Sequence, residues 1–397
     1  MLKCDFHSYV DSFISKERYT QLMSQKEKVL EQFQNSDFVG WTNPIDEETI
    51  HKINQTASYI KNHFDCLVVV GIGGSFLGSY AFDQMFRNYF QNDTFEIIYA
   101  GTTLSSKYLD ELVVYLKDKN FCINVISKSG TTMETTITYQ LLKDLLKRKY
   151  SDEEIRKHII VTTDKVKGSL REEVNEKKYK SFVIPDDIGG RYSFITPAHL
   201  LPLGINYDLD EIVSGYYSGK KLIDVAFEYA VTRNALYKNN RFIENFCVSE
   251  ENMSFFTEWL KQLFGETEGK NNKGIFPTST VYTRDLHSLG QFMQEGTNII
   301  FETFITVANT DNYIDYNGRE LHGFNNLVMD SVKRAHYKGG VPSLEIELTD
   351  LELESVTSLM YFFMLSAAFS AILMGVEPFD QPGVEVYKQE VRDSIKK

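Results

Sequence analysis

The 397-residue sequence has four cysteines, Cys4, Cys66, Cys122 and Cys247, and no two of them stand in C-x-x-C spacing. This argues against a disulfide framework and a structural zinc site and fits ordinary thiols in a reducing compartment. An excess of positive charge is also missing. Forty-two Lys+Arg oppose 55 Asp+Glu, a formal charge of −13, which argues against a nucleic-acid binder. The opening MLKCDFHSYVDSF lacks the uninterrupted apolar run of a secretory signal, so a cytoplasmic protein is expected. Short repeats and low-complexity linkers are absent as well. At 42% hydrophobic and 24% charged residues the composition is that of globular cores, and the length suggests two or three domains of ~100–200 residues.

One stretch runs against a soluble protein. Residues 356–376 (VTSLMYFFMLSAAFSAILMGV) contain no charge, which is long enough to span a bilayer. The acidic TDLELES before it, the serines and threonine within it and the absence of a basic flank favour a core helix covered on all sides, and no membrane association is expected.

Residues 1–60 read mainly as helices, with apolar positions every three or four. A strand candidate at 67–70 then ends in Gly71-Ile72-Gly73-Gly74-Ser75 before a helix from 76. The pattern returns at 121–126, which runs into Ser127-Lys128-Ser129-Gly130-Thr131-Thr132 and a helix over 134–149. Further strands are predicted at 95–99, 159–162 and 180–184. Alternation of this kind implies a doubly wound parallel sheet with helices on both faces, closing by about residue 200. Ligands of such sheets sit at the strands' carboxyl ends. A second α/β region follows, with helices over 210–237 and 253–264 and strands at 274–282, 299–307 and 343–348. The predicted division is a helical lead-in over 1–60 and two domains over 61–200 and 201–397.

Counting G-x-G-x-x-G from Gly71 demands glycine at Phe76, so the dinucleotide fingerprint fails. What remains is a turn whose Gly73, Gly74 and Ser75 offer backbone N–H groups to an anion or a sugar oxygen. The second loop places four hydroxyls around Lys128 and Gly130 at a helix start, which suits a phosphate ester; without G-K-[ST] it is no Walker motif. A competing account is helix capping, because Thr131-Thr132-Met133-Glu134 matches T-x-x-E. Capping leaves Ser127, Lys128, Ser129 and Thr132 unused, and phosphate binding is favoured. Arg191, after Gly189-Gly190, is placed either to stabilise an oxyanion or to be a surface loop residue. Glu266 and Glu268 in QLFGETEGK and His287 in RDLH supply a carboxylate and an imidazole, the usual proton carriers, though charged helix ends and half-buried histidines are common. Lys388 follows a turn-rich stretch, PFDQPGVEVYK.

Together these segments resemble the glucose-6-phosphate isomerase (phosphoglucose isomerase) family in its compact bacterial form. The similarity lies in VVVGIGGSFLG, ISKSGTTMET, GGRYSFITPAHLLPLGI, QLFGETEGK, DLHSLGQFMQEG, IIFET, GGVPS and PFDQPGVEVYK, in family order over residues 68–388. The resemblance implies two sugar-isomerase (SIS) domains, each a doubly wound α/β sandwich, and a homodimer in which a histidine crosses the interface. It implies that Glu266 moves a proton between carbons 1 and 2, that His287 and Lys388 open the ring, that Glu134 orients the histidine and that Arg191 stabilises the enediolate. Ser127, Lys128, Ser129, Gly130, Thr131 and Thr132 would hold the phosphate; Gly74, Ser75, Gln262 and Gln381 would touch the sugar. Neither a metal nor an organic cofactor is expected. The sequence departs from the family at Glu377, where asparagine is usual, and runs only to Lys397 after Lys388, where family members usually continue. Two other readings are a non-catalytic sugar-phosphate sensor built from the same domains and an amino-sugar-phosphate isomerase sharing the SKSGTT loop.

Overall fold

The computed structural model describes residues 2–91, 94–311 and 313–395. Its strands in chain order are β1 (Leu2–Tyr9), β2 (Cys66–Val70), β3 (Glu96–Ala100), β4 (Phe121–Ile126), β5 (Ile159–Thr163), β6 (Lys180–Val183), β7 (Ile243–Val248), β8 (Phe276–Val281), β9 (Ile300–Val307), β10 (Asp315–Tyr316), β11 (Arg319–Glu320) and β12 (Ser343–Leu348). Two compact units are formed: a continuous unit, Asp37–Val213, and a split unit, Met1–Ser36 with Ser214–Lys397.

The continuous unit is built on the sheet β3-β2-β4-β5-β6, parallel throughout. Every residue of β2, β4 and β5 is buried, as expected for β-branched strands covered by helices on both faces. Counted from its first strand the order is 2-1-3-4-5, which reverses between β2 and β4. The loops after those two strands, Gly71–Ser75 and Ser127–Thr132, therefore flank the crevice where such sheets bind ligands.

The split unit has the sheet β1-β12-β9-β7-β8, in which β1 alone is antiparallel. This corrects the division read from the sequence. Residues 2–9 are an edge strand paired with β12, and the helix Lys26–Gln34 packs on the helix Leu353–Met374, with Phe33 5.3 Å from Phe369. The helix Glu47–His63, by contrast, opens the continuous unit. The lead-in is thus shared between the units, because its apolar faces find different cores. The helix expected over 210–237 is broken into Leu209–Ser218, a 3-10 turn at Gly219–Leu222 and Ile223–Tyr237. At the break a Cβ on Gly219 would lie 2.6 Å from Tyr361 Cβ, so the chain approaches Leu353–Met374 more closely than a side chain permits.

The charge-free stretch is that helix, Leu353–Met374. By length and composition it is able to cross a bilayer, yet 94% of its most apolar 18-residue window is buried inside the protein. Phe363 packs edge-on to Phe246 at 6.1 Å and against Phe256 at 5.9 Å. Each such side chain contributes about 1.5–3 kcal/mol by leaving water.

Candidate active site

In the continuous unit the hydroxyl loop is shaped by its own side chains. Ser127, buried, accepts the Gly130 N–H on Oγ at 3.0 Å, and its carbonyl accepts the Thr163 hydroxyl at 2.7 Å. Ser129 Oγ accepts both the N–H and the hydroxyl of Thr131, at 3.2 and 3.1 Å. Gly130 sits at φ +71°, and a Cβ there would meet Ser169 Oγ at 2.5 Å, so glycine is required on both conformational and steric grounds. Ser169 in turn donates to the Gly130 carbonyl at 2.9 Å.

The helix Met133–Lys147 starts directly after this loop. Its N-cap is Thr132, and no side chain caps it. The T-x-x-E capping box is therefore not formed; the Thr131 hydroxyl turns back to Ser129 instead. Uncapped first-turn amides at the positive end of a 15-residue helix suit an anion. Lys128 Nζ is held by the Pro185 carbonyl at 3.2 Å and by Asp186 at 3.0 Å, so its charge is shared with a carboxylate. Glu134 lies in the first turn, half-buried.

The glycine turn Gly73–Ser75 meets the turn Gly190–Tyr192. A Cβ on Gly74 would fall 2.3 Å from the Gly190 carbonyl carbon and 2.8 Å from Arg191 N, so only glycine allows this approach. Arg191 is buried, not a surface loop residue, with its guanidinium 5.6 Å from the centroid of Tyr192, which itself stacks on Trp41 at 5.3 Å. Gly74, Ser75 and Arg191 are thus brought together.

In the split unit Glu266 lies near the end of the helix Ser254–Glu268, and Gln262 Nε2 donates to its carboxylate at 3.2 Å one turn earlier. Two residues on, Glu268 is fully buried and binds the guanidinium of Arg233, which also reaches Glu244 at 2.7 Å and Ser370 at 2.7 Å. Tyr229 and Thr303 donate to Glu244 at 2.6 and 2.7 Å. Attraction to both carboxylates outweighs burial and raises the Arg233 pKa further above its ordinary range. This end of the helix lies at the amino edge of the sheet, where Ile275 N–H donates to Glu268 at 3.4 Å and Gly265 packs beside Pro277. Placement at the strands' carboxyl ends therefore holds for the loops of the continuous unit and fails for Glu266.

Lys270 ties Asp380 to the same helix end at 2.9 Å and also donates to the Glu377 carbonyl, which brings the stretch bearing Gln381 near that helix end. Glu377, the departure from the family pattern, accepts the Phe379 N–H at 3.3 Å. Lys388, on the exposed helix Gly383–Ile395, pairs with Glu385 at 2.8 Å. His287 opens the helix Leu286–Glu295, exposed, and its imidazole has no hydrogen-bond partner among the described residues. Glu134 and His287 belong to different units.

Sequence reasoning missed His199, Ser193 and Arg233, all buried. Arg233 carries no motif, and the other two stand within GGRYSFITPAH, where only the arginine drew notice.

A doubly wound sheet with a hydroxyl-rich anion loop at its switch point, and a second α/β unit carrying a carboxylate and an imidazole, defines a phosphosugar-handling SIS-fold protein. The phosphoglucose isomerase family model matches residues 49–328, and the chain belongs to that family. A glucose-6-phosphate isomerase of Staphylococcus haemolyticus is 42% identical over 384 residues, 90% of this chain and 86% of that one. Among solved structures, a hypothetical protein from Thermus thermophilus superposes with TM-score 0.89 at 24% identity over 100% of both chains. A glucose-6-phosphate isomerase from Chlamydia trachomatis gives 0.80 at 20% identity over 96% of this chain and 84% of that one. These last two speak for the fold.

Proposed function

We propose that the chain interconverts glucose 6-phosphate and fructose 6-phosphate through an enediolate, as a cytoplasmic enzyme of glycolysis and gluconeogenesis. What supports this most is the presence in one chain of this family of both a preshaped anion loop and Glu266 gripped by Gln262. The phosphate rests on Ser127–Thr132 and the first-turn amides of Met133–Lys147. His287 and Lys388 move the proton that opens the ring, and Glu134 orients the imidazole. Glu266 takes the proton from C2, exchanges it in part with solvent and delivers a proton to C1, while Arg191 faces the enediolate oxygen and Gly74, Ser75, Gln262 and Gln381 hold the sugar hydroxyls. A hydrogen α to a carbonyl is a very weak acid, so the base, worth ~10²–10⁴-fold, needs a cation beside the developing charge. Carbons 1 and 2 exchange oxidation level within one molecule, and no external redox partner is consumed.

A second copy of the chain is proposed to supply His287. The exposed, unpartnered imidazole supports this, as do the exposed Leu289 and Phe292 on its helix. A sensor without catalysis is less well supported because Glu266, His287 and Lys388 are all retained, and an amino-sugar-phosphate isomerase has no need of QLFGETEGK.

The test is formation of fructose 6-phosphate from glucose 6-phosphate by the native chain and by Glu266→Gln. Turnover indifferent to chelator and a loss of at least ~10²-fold in the variant are expected. An inactive native chain would favour the sensor. Mixing inactive Glu266→Gln with inactive His287→Ala is expected to restore activity, and no restoration would argue against a shared site.

A further inference from the structure

His199 is buried at 2% exposure in the helix Pro197–Leu203, and its ring bridges the Gly74 turn and the first turn of the helix Leu77–Phe86. Its Nδ1 accepts the backbone N–H of Ser79 at 3.0 Å, and its Nε2 lies 2.8 Å from the Gly74 carbonyl. An amide N–H only donates and a carbonyl only accepts, so the two contacts fix one tautomer: neutral, with the proton on Nε2. Ser79 stands in the first turn of the helix Leu77–Phe86, whose N-cap, Phe76, makes no side-chain cap bond. The imidazole thus caps that helix from outside its own sequence. Ser193 completes the arrangement: its hydroxyl is 3.0 Å from the Gly74 carbonyl, 2.6 Å from the Gly190 carbonyl and 3.1 Å from His199 Nε2. Space for the ring comes from Gly78, where a Cβ would lie 3.1 Å from His199 Cε1.

We propose that His199, with Ser193, is a positioning residue for the isomerisation: a neutral strut that ties the sugar-binding turn at Gly74 and Ser75 to the turn that carries Arg191. This rests on the functional reading above. Three facts support it beyond packing. Both polar atoms of the ring are used, one partner is the Gly74 carbonyl of the sugar-binding turn, and Ser193 links that carbonyl to the Gly190 carbonyl of the turn that carries Arg191, where the close approach leaves no room for slack. Protonation would set an imidazolium N–H against the Ser79 N–H. Burial opposes that and holds the imidazole's pKa down at about 4.

The test is steady-state kinetics on fructose 6-phosphate for native chain, His199→Leu and His199→Gln, each corrected for folded fraction by circular dichroism. Leucine fills the space and makes neither bond; the glutamine amide offers an acceptor for Ser79 and a donor for Gly74. A displacement of about 1 Å costs up to ~10²-fold, so His199→Leu is expected to lose ~10–10²-fold in kcat/KM per folded molecule, with KM raised as well as kcat lowered, and His199→Gln to recover most of it. Native-like kcat/KM in folded His199→Leu, or a glutamine variant as impaired as leucine, would overturn the proposal. Should His199→Leu not fold, Ser193→Ala removes the second strut; a loss in the same sense supports the proposal and native kinetics refute it. An inactive native chain would instead refute the functional reading on which the proposal stands.

Discussion

The four parallel strands of the split unit repeat the order of the first four in the continuous unit, 2-1-3-4, and the two sheets use it differently. In the continuous unit the switch-point loops are Gly71–Ser75 and Ser127–Thr132, rich in glycine and hydroxyls, and both precede helix starts. The equivalent point of the split unit lies between β7 and β9, and the loop after β7 reads Ser249-Glu250-Glu251-Asn252. Burial raises the Glu250 pKa, with His322 opposing from 3.7 Å. Glu251 pairs with Arg284, so this loop carries carboxyls where the other carries hydroxyls. The same switch-point topology thus carries a hydroxyl-rich loop in one unit and an acidic one in the other, and Glu266 lies at the opposite edge of the split unit's sheet. The supports differ too. Neutral hydrogen bonds through His199, Ser193 and Ser127 shape the two switch-point loops, whereas a buried cluster of one arginine and two carboxylates fixes the end of the helix Ser254–Glu268. Topology places a crevice, and loop chemistry decides whether it binds anything.

The largest effect that would break this contrast is expected at Arg233. Arg233→Met leaves Glu244 and Glu268 buried without a counter-charge, and a loss of ~3–5 kcal/mol in urea unfolding is predicted; a change below 1 kcal/mol would mean that the cluster does not fix the helix end. On its proposed role as the cation facing the enediolate, Arg191→Ala should cost ~2.7–4 kcal/mol in the barrier, read as kcat. An effect confined to KM would move Arg191 from chemistry to binding.

The neutral support predicts a pH dependence. The His199 imidazole titrates near 6.5 unfolded and at about 4 folded, with burial as the main cause and the Gly74 carbonyl opposing it. The unfolded state therefore binds the proton first as pH falls. Its contribution is neutral above pH 6.5, and stability drops by about 3 kcal/mol as the pH is lowered from 6.5 toward 4. His199→Gln should show a correspondingly shallower acid slope in unfolding titrations. The smallest effect is expected at the loop itself: Gly130→Ala should cost ~1–3 kcal/mol through its left-handed backbone and the clash with Ser169, and raise KM for the sugar phosphate more than it lowers kcat.

How much of this was legible in the sequence follows from how local each feature is. The loops after β2 and β4 were, because glycines, hydroxyls and the following helix are contiguous and the strands before them are apolar runs. The strand β1 was not: LKCDFHSY is an edge strand with Phe6 as its one buried residue, and its pairing with β12 spans the chain. The strand β7 was missed because Glu244 and Asn245 look solvated. Their burial is made possible by Arg233, Thr280 and Glu302, which lie far apart in sequence. His199 was invisible for the same reason, since both its partners are some 120 residues upstream. The T-x-x-E pattern, the competing account of that loop, is not realised because Thr132, not Thr131, is the N-cap.

The central claim is that a carboxylate at Glu266 carries a proton between carbons 1 and 2. Isomerisation in deuterium oxide tests it most directly, with the product examined by NMR for label at those two carbons. The account predicts solvent deuterium in the product formed by the native chain, and both turnover and label reduced by at least ~10²-fold in Glu266→Gln. Product formed by Glu266→Gln at the native rate and with the native label would contradict it.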